Sequence, residues 1–118
     1  MLFKKNKKTK EEKNLKNESL LTSFDRMVYV VVKQCSDDEM FEISDHIISG
    51  KPVLANFDNV DIASANTLLS FVSGVVYALK GEITKINPRL FLFGRKEAYE
   101  DDSLRKFLEE NKWFYNHY

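Results

Sequence analysis

Short apolar runs rich in β-branched and aromatic residues alternate with longer segments of helical periodicity, and this alternation restricts the chain to α/β folds. The apolar runs are RMVYVVVKQ, KPVLANF, EITKI and RLFLFGR, and helical segments follow the first run, the second run and the fourth. The near-continuous apolarity of the first run predicts a central strand. The order predicts an α/β (α+β) sandwich in which a mixed β-sheet of about four to five strands packs with two main helices, plus a C-terminal helix.

The boundaries of the two main helices carry their own signals. Ser36 followed by Glu39 forms a capping box, and Gly50 provides the left-handed stop that commonly ends a helix. Asp61 is a typical N-cap residue, and the helix that follows it is expected to stop at Gly81. These signals separate each helix from the strands on either side of it.

The N-terminal sequence is basic and nearly free of apolar side chains. Between residues 4 and 19 the sequence KKNKKTKEEKNLKNES contains a single leucine and no aromatic residue, so it cannot bury enough apolar surface to offset the entropy of ordering it. We therefore expect residues 1–24 to form a flexible basic segment and residues 25–118 to form the folded domain with a C-terminal helical extension. The lone Cys35 favours a reducing compartment, and a cytoplasmic location is predicted.

The second main helix is unusual for the lack of charge on its outer face. On a helical wheel of residues 62–80, one half is apolar and the other half carries small uncharged side chains with one tyrosine, whereas solvated faces usually carry Lys and Glu. Small uncharged faces let two helices approach closely, which predicts self-association through Ser70, Phe71, Ser73, Gly74 and Tyr77. The alternative is that the C-terminal helix or the end of the chain covers this face within one subunit.

The residue chemistry does not favour an enzyme. His46, His117 and Cys35 match no zinc spacing, and no neighbouring pattern marks Cys35 as an activated nucleophile. The four glycines form neither a phosphate loop nor a dinucleotide fingerprint. We expect no catalytic residue, no metal site and no cofactor. Nucleic acid is not an expected partner, because the folded part is acidic and lacks a basic and aromatic run on one element.

A linked set of positions between residues 26 and 99 matches the pattern of one family. The positions are Asn56-Phe57 after the second strand, SFVSG at 70–74, Tyr77-Ala78-Leu79, Gly81, Lys85-Ile86 and Phe91-Leu92. In this set the chain resembles the SepF family of bacterial and archaeal cell-division proteins. The resemblance implies a compact α/β domain that forms homodimers and can polymerise.

The resemblance also implies the partners. A SepF-like adaptor binds the C-terminal peptide of the tubulin-like protein FtsZ and organises or tethers the division ring at the inner face of the membrane during septum formation. By position, Lys85 and Phe91 correspond to family contacts for the FtsZ tail, which place a basic group beside an aromatic platform. The alternative for Phe91 is a residue of the strand core.

The membrane contact is expected at the N-terminus. In SepF-like proteins an N-terminal segment reaches the membrane, and here Met1, Leu2, Phe3, Lys4 and Lys5 combine apolar side chains with positive charge. The alternative is a solvated tail, because no apolar stripe continues beyond Phe3.

Two positions of the second main helix depart from the SepF family pattern. Asn66 and Ser70 stand where the helix motif of relatives has Arg and Asp, so an ion pair made by those residues is absent.

The alternative function is that of a phosphorylation-controlled switch, since the chain also resembles the anti-sigma-factor antagonist (STAS) domains. In that case Ser64 is the phosphate acceptor near a helix N-terminus, where the helix dipole favours negative charge.

Overall fold

The fold is known from a computed structural model that describes residues 20–117, with side chains described up to residue 111. The sequence-predicted membrane contacts Met1, Leu2, Phe3, Lys4 and Lys5 lie outside the described residues. The first nineteen residues of the predicted basic segment also lie outside them.

Seven main elements follow one another in the order that the sequence predicts. They are β1 (Val28–Val31), α1 (Asp37–Ile48), β2 (Val53–Asn56), α2 (Ile62–Ala78), β3 (Glu82–Asn87), β4 (Leu90–Gly94) and α3 (Ser103–His117). Two short 3-10 helices flank them, Phe24–Arg26 before β1 and Lys96–Tyr99 before α3. The predicted order of strand, helix, strand, helix, strand, strand, helix is therefore confirmed.

The strands form one mixed sheet. Within the described residues the sheet has four strands in the order β1-β2-β4-β3, with β1 parallel to β2 and the other neighbours antiparallel. The prediction of a central first strand is wrong, because β1 lies at an edge. Its apolar run is covered only in part: Val30 packs towards one core and Met27, just before the strand, packs towards the other, whereas Tyr29 is 56% exposed. An apolar run therefore says nothing about how many strands flank it.

The sheet separates two apolar cores. On one face α1 and α2 cover a large core that includes Ile43, Leu68, Val72 and Phe93. On the opposite face α3 covers a smaller core built around Leu92 and residues of α3 itself. The predicted α/β sandwich of helices on a mixed sheet is confirmed, and the C-terminal helix supplies the cover of the second face.

The capping signals of α1 act as expected. Ser36 is the N-cap, and its hydroxyl accepts a hydrogen bond from the Glu39 amide at 3.3 Å. The Glu39 carboxylate in turn accepts hydrogen bonds from the three consecutive amides of residues 33–35 at 2.6–2.8 Å. Gly50 has a φ of 96°, the left-handed conformation that ends the helix segment. The carboxylate therefore fixes the loop between β1 and α1.

The end of α2 differs from the prediction. The helix ends at Ala78, and Lys80 rather than Gly81 takes the left-handed conformation, with a φ of 55°. Gly81 is required for another reason: a Cβ atom at this position would collide with the carbonyl oxygen of Gly94. The glycine therefore permits the close approach of β3 to the end of β4.

Candidate functional site

A small cleft of about 140 Å³ lies where the β3–β4 hairpin meets the first half of α2. Phe57 and Phe91 line it from the sheet side, and Ile62, Asn66 and Leu69 line it from α2. The side chains of Lys85 and Arg89 also line it from the hairpin. The structure thus brings the two sequence-predicted contacts, Lys85 and Phe91, into one cleft.

The pairing of β3 with β4 places Lys85 next to Phe91. The two residues are direct cross-strand partners, so their side chains project from the same face of the sheet. The register shifts between Lys85 and Asn87, which marks an irregularity at the end of this edge strand. Lys85 is exposed, as the sequence predicts.

Phe91 belongs to both the cleft and the core. Its ring lies 5.6 Å from the ring of Phe57 in an edge-to-face contact and 6.5 Å from the ring of Phe93 in a stacked one. It is half-buried and packs against the larger core while its remaining surface lines the cleft. Phe91 is therefore a residue of the strand core, as one alternative has it, and it also lines the cleft. Its contact with an FtsZ tail stays a prediction.

Arg89 was missed by the sequence reasoning. Its Nη1 atom donates hydrogen bonds to the carbonyl oxygens of Phe57 at 3.1 Å and Val60 at 2.9 Å, and its own carbonyl accepts one from the Phe57 amide at 2.8 Å. The hairpin tip is thereby joined to the loop that precedes α2. The only local signal is an arginine directly after Pro88 in a turn, and that signal does not indicate which loop it meets.

The N-terminus of α2 lies beside the cleft. Asp61 is the N-cap and accepts a hydrogen bond from the Ser64 amide at 2.7 Å. Hydrogen bonds from the backbone and the side chain of Ser64 hold the pKa of the Asp61 carboxyl below its usual range. Asp61 thus serves the helix, and Ser64, the acceptor in the STAS-like alternative, is half-buried and bonded to it.

The outer face of the second half of α2 is open. Ser70, Gly74 and Tyr77 are exposed, and the exposed fraction of Tyr77 is 85%. Ser73, also on the outer half of the wheel, is half-buried. Because α3 packs on the opposite face of the sheet, its described side chains do not cover this surface. The other alternative, cover by the end of the chain, concerns side chains beyond residue 111 and lies outside the described residues. Among the described residues the uncharged surface is accessible.

The apolar arc of α2 is buried only in part. Ala65, Leu68, Val72 and Val76 are buried, whereas Ile62 and Phe71, which the wheel places on the same arc, are 67% and 41% exposed. The Phe71 ring contacts the Phe41 ring of α1, with the ring centroids 5.9 Å apart. An exposed aromatic pair thus adjoins the small-residue surface.

The described residues also bear on metal binding, on cysteine reactivity and on membrane-spanning helices. None of their His, Cys, Asp and Glu side chains form a group that could hold a metal ion. Cys35 is buried, and burial together with the nearby Glu39 and Asp61 carboxylates raises the pKa of its thiol, which disfavours the reactive thiolate. No helix between residues 20 and 117 is long and apolar enough to cross a membrane.

A family model and curated relatives of this chain point to the same family. The family model described as cell division protein SepF matches residues 30–94. Similar curated proteins include the cell division protein SepF of Carboxydothermus hydrogenoformans, which is 33% identical over 87 residues, and that of Oceanobacillus iheyensis, which is 35% identical over 83 residues. These alignments cover 74% and 70% of this chain but 62% and 58% of the relatives, so the chain spans about three-fifths of their length.

A solved structure has a similar fold. The SepF-like protein from Archaeoglobus fulgidus is 21% identical in sequence and superposes with a TM-score of 0.50. The alignment covers 58% of this chain and 86% of the other. At this identity the comparison concerns the arrangement of the helices and strands alone.

Proposed function

Because this chain belongs to the SepF family of cell division proteins, we propose that it is a cell-division adaptor that binds the C-terminal tail of FtsZ. In this proposal the protein also self-associates and helps to tether or organise the division ring at the inner face of the membrane. The observation that carries the proposal is the shared cleft of Lys85 and Phe91, which sets a positive charge beside an aromatic surface.

The size and chemistry of the cleft favour a short peptide. Pockets for small-molecule ligands usually enclose roughly 300–1,000 Å³. A cleft of about 140 Å³ holds one or two side chains. Peptide recognition needs only a few apolar anchors and a charge contact, and here Phe91 and Phe57 offer the apolar surface while Lys85 offers the charge. The protein acts in this proposal without catalysing a reaction.

Self-association is proposed at the outer face of α2. Ser70, Ser73 and Gly74 allow a second helix backbone to approach, and Phe71 and Tyr77 supply apolar area at the same surface. This surface involves the second half of α2, whereas the cleft uses the first half. A pair of subunits would therefore present two clefts, and two tails of one FtsZ filament would then bind with a raised effective concentration.

Membrane contact is proposed for Met1, Leu2, Phe3, Lys4 and Lys5. An apolar side chain buried in the lipid interface contributes about 1.5–3 kcal/mol, and each lysine near anionic lipid contributes about 1 kcal/mol. Ordering the segment offsets part of this gain, so one copy binds weakly and an assembly binds well. Pelleting with anionic liposomes tests the proposal, since protein lacking residues 1–8 should stay in the supernatant, and equal pelleting of both forms would exclude it.

The peptide interaction has a direct test. Fluorescence anisotropy with a labelled C-terminal FtsZ peptide from the same organism should show saturable binding by the parent protein, and Lys85→Glu should weaken it by more than about tenfold. Lys106→Glu is the matched control, because it reverses an exposed charge on α3 at the opposite face of the sheet. No binding by the parent at high micromolar concentration would exclude the FtsZ-tail proposal.

The STAS-like alternative is not carried forward. That alternative rested on a resemblance to STAS domains, whereas the chain belongs to the SepF family. The Ser64 side chain, which that alternative makes the phosphate acceptor, is half-buried at the start of α2 and bonded to Asp61.

A further inference from the structure

Only one nitrogen of the Arg89 guanidinium group makes hydrogen bonds within the described residues. Its Nη1 atom alone makes both hydrogen bonds to the carbonyl oxygens of Phe57 and Val60. Among the described residues, Nε and Nη2 of the same group have no hydrogen-bond partner. The side chain is half-buried and lines the cleft. Nη1 is thus held by two carbonyl oxygens, whereas the other donors of the guanidinium group carry no protein partner among the described residues.

The two hydrogen bonds of Nη1 restrain the Arg89 side chain. An arginine free in solution loses rotamer entropy when it binds a ligand. Arg89 is already restrained, because its side chain holds two carbonyl oxygens and its backbone carbonyl accepts the Phe57 amide. A further hydrogen bond from this side chain therefore costs less ordering than it would from a mobile one.

Two cations line this cleft without an acidic residue among its lining side chains. Lys85 and Arg89 come from β3 and from the turn that follows it, and the other lining residues are apolar apart from Asn66. Asp61, the nearest acidic residue along the chain from Ile62, is directed to the Ser64 amide as the cap of α2. The side chains that line the cleft therefore carry two positive charges and no negative one.

We propose that Arg89 and Lys85 together bind a carboxylate of the partner peptide, while an apolar side chain next to that carboxylate enters the cleft against Phe91. The inference rests on the proposed function of this cleft and adds to it the chemistry of the ligand, an acidic residue beside an apolar one. Arginine suits the role because its planar group offers parallel donors to a carboxylate.

The experiment combines one change in the protein with one in the peptide. The probe is the labelled C-terminal FtsZ peptide from the same organism, compared with a matched peptide in which Asp and Glu are replaced by Asn and Gln and the terminal carboxylate is an amide. For the parent protein, the neutral peptide should bind about tenfold more weakly. Arg89→Met should weaken the acidic peptide by about fivefold and the neutral peptide by less than about twofold.

The design separates binding from structure. A purely structural effect of Arg89→Met, transmitted through the Phe57 and Val60 carbonyls, would weaken both peptides equally, and that outcome overturns the inference. Arg89→Lys retains the charge and should lose less affinity for the acidic peptide than Arg89→Met does. Arg105→Met, an exposed arginine on α3, is the control and should leave both affinities unchanged.

The outcomes also distinguish the two proposals. If the parent binds the acidic peptide and Arg89→Met binds it equally well, the role of Arg89 is excluded and the proposed function stands. If the parent binds neither peptide, the proposed function fails and the inference fails with it. If the parent binds both peptides equally, the carboxylate is excluded as the recognised group.

Discussion

Lys85 and Phe91 lie directly opposite each other in the antiparallel pair of β3 and β4. The residues are separated along the chain by a turn that contains Pro88, yet the register places the ammonium group and the ring on the same face. The side chain of Asn87 contributes to this turn, since it accepts a hydrogen bond from the Arg89 amide at 2.8 Å. The hairpin geometry therefore creates a pairing that spacing alone does not reveal.

The two residues should differ in their effect on stability. Phe91→Ala should lower the free energy of unfolding by about 2 kcal/mol, less than for a fully buried ring, because the side chain is half-buried against Phe57 and Phe93. Lys85→Glu should stay within about 0.5 kcal/mol of the parent, as is usual for exposed positions. Urea denaturation measures both. A large loss for Lys85→Glu would mean that its effect on peptide binding reports unfolding.

Two glycines should respond in opposite ways to alanine. Gly81→Ala should destabilise the protein by about 3 kcal/mol, because the new Cβ collides with backbone of β4. Gly74→Ala should stabilise the isolated subunit by up to about 1 kcal/mol, because the residue lies within α2 and no atom of the described residues outside the adjoining helix backbone comes within 4 Å of the added methyl group. Thermal denaturation at low protein concentration compares them. A destabilised Gly74→Ala subunit would contradict the open surroundings of this residue.

Local signals account for most of the fold but for only part of the site. Ser36 and Asp61 act through atoms a few residues away, so short-range chemistry suffices to place the helix starts. Arg89 meets Val60 across 29 residues, and no local pattern indicates that contact. The edge position of β1 and the exposure of Phe71 likewise depend on which elements become neighbours. Lys85 and Phe91 were found through family resemblance rather than through periodicity.

Ser44 carries an unsatisfied hydroxyl group in the core. The residue is 5% exposed on α1, and its Oγ atom has no hydrogen-bond partner among the described residues. A buried polar group without a partner costs free energy, and alanine has the higher helix propensity. Ser44→Ala should therefore raise the free energy of unfolding by about 1 kcal/mol, as measured by urea denaturation. A loss of stability would contradict the absence of a partner.

Glu39 should make stability depend on pH. Burial disfavours its charged form, but the hydrogen bonds from the backbone amides of residues 33–36 outweigh burial and lower its pKa from the usual 4.5. A lowered pKa in the folded state means that the stabilisation is complete above pH 4.5 and is lost as the pH falls through the folded-state value. Glu39→Gln should cost about 1 kcal/mol at pH 7 and progressively less below pH 4.5. A cost that does not change between pH 7 and pH 3 would contradict this role.

Tyr77 should control self-association without controlling the fold. The residue is 85% exposed among the described residues and lies on the same outer half of α2 as Gly74. An exposed aromatic residue on an uncharged helix face contributes apolar area when a second copy docks there, and a charge on each copy would repel its counterpart. Tyr77→Glu should therefore shift the sedimentation equilibrium towards monomer by about tenfold or more in the dissociation constant.

The matched controls separate this interface from a general effect of charge. Tyr77→Phe removes only the hydroxyl group and should self-associate nearly as the parent does, because the ring supplies the contact. Lys106→Glu makes the charge more negative at an exposed position of α3, on the opposite face of the sheet, and should leave the equilibrium unchanged. The circular dichroism spectrum and melting temperature of Tyr77→Glu should match those of the monomeric parent, since the side chain makes little contact within the subunit. If Tyr77→Glu assembles as tightly as the parent, the outer face of α2 is not the contact between subunits.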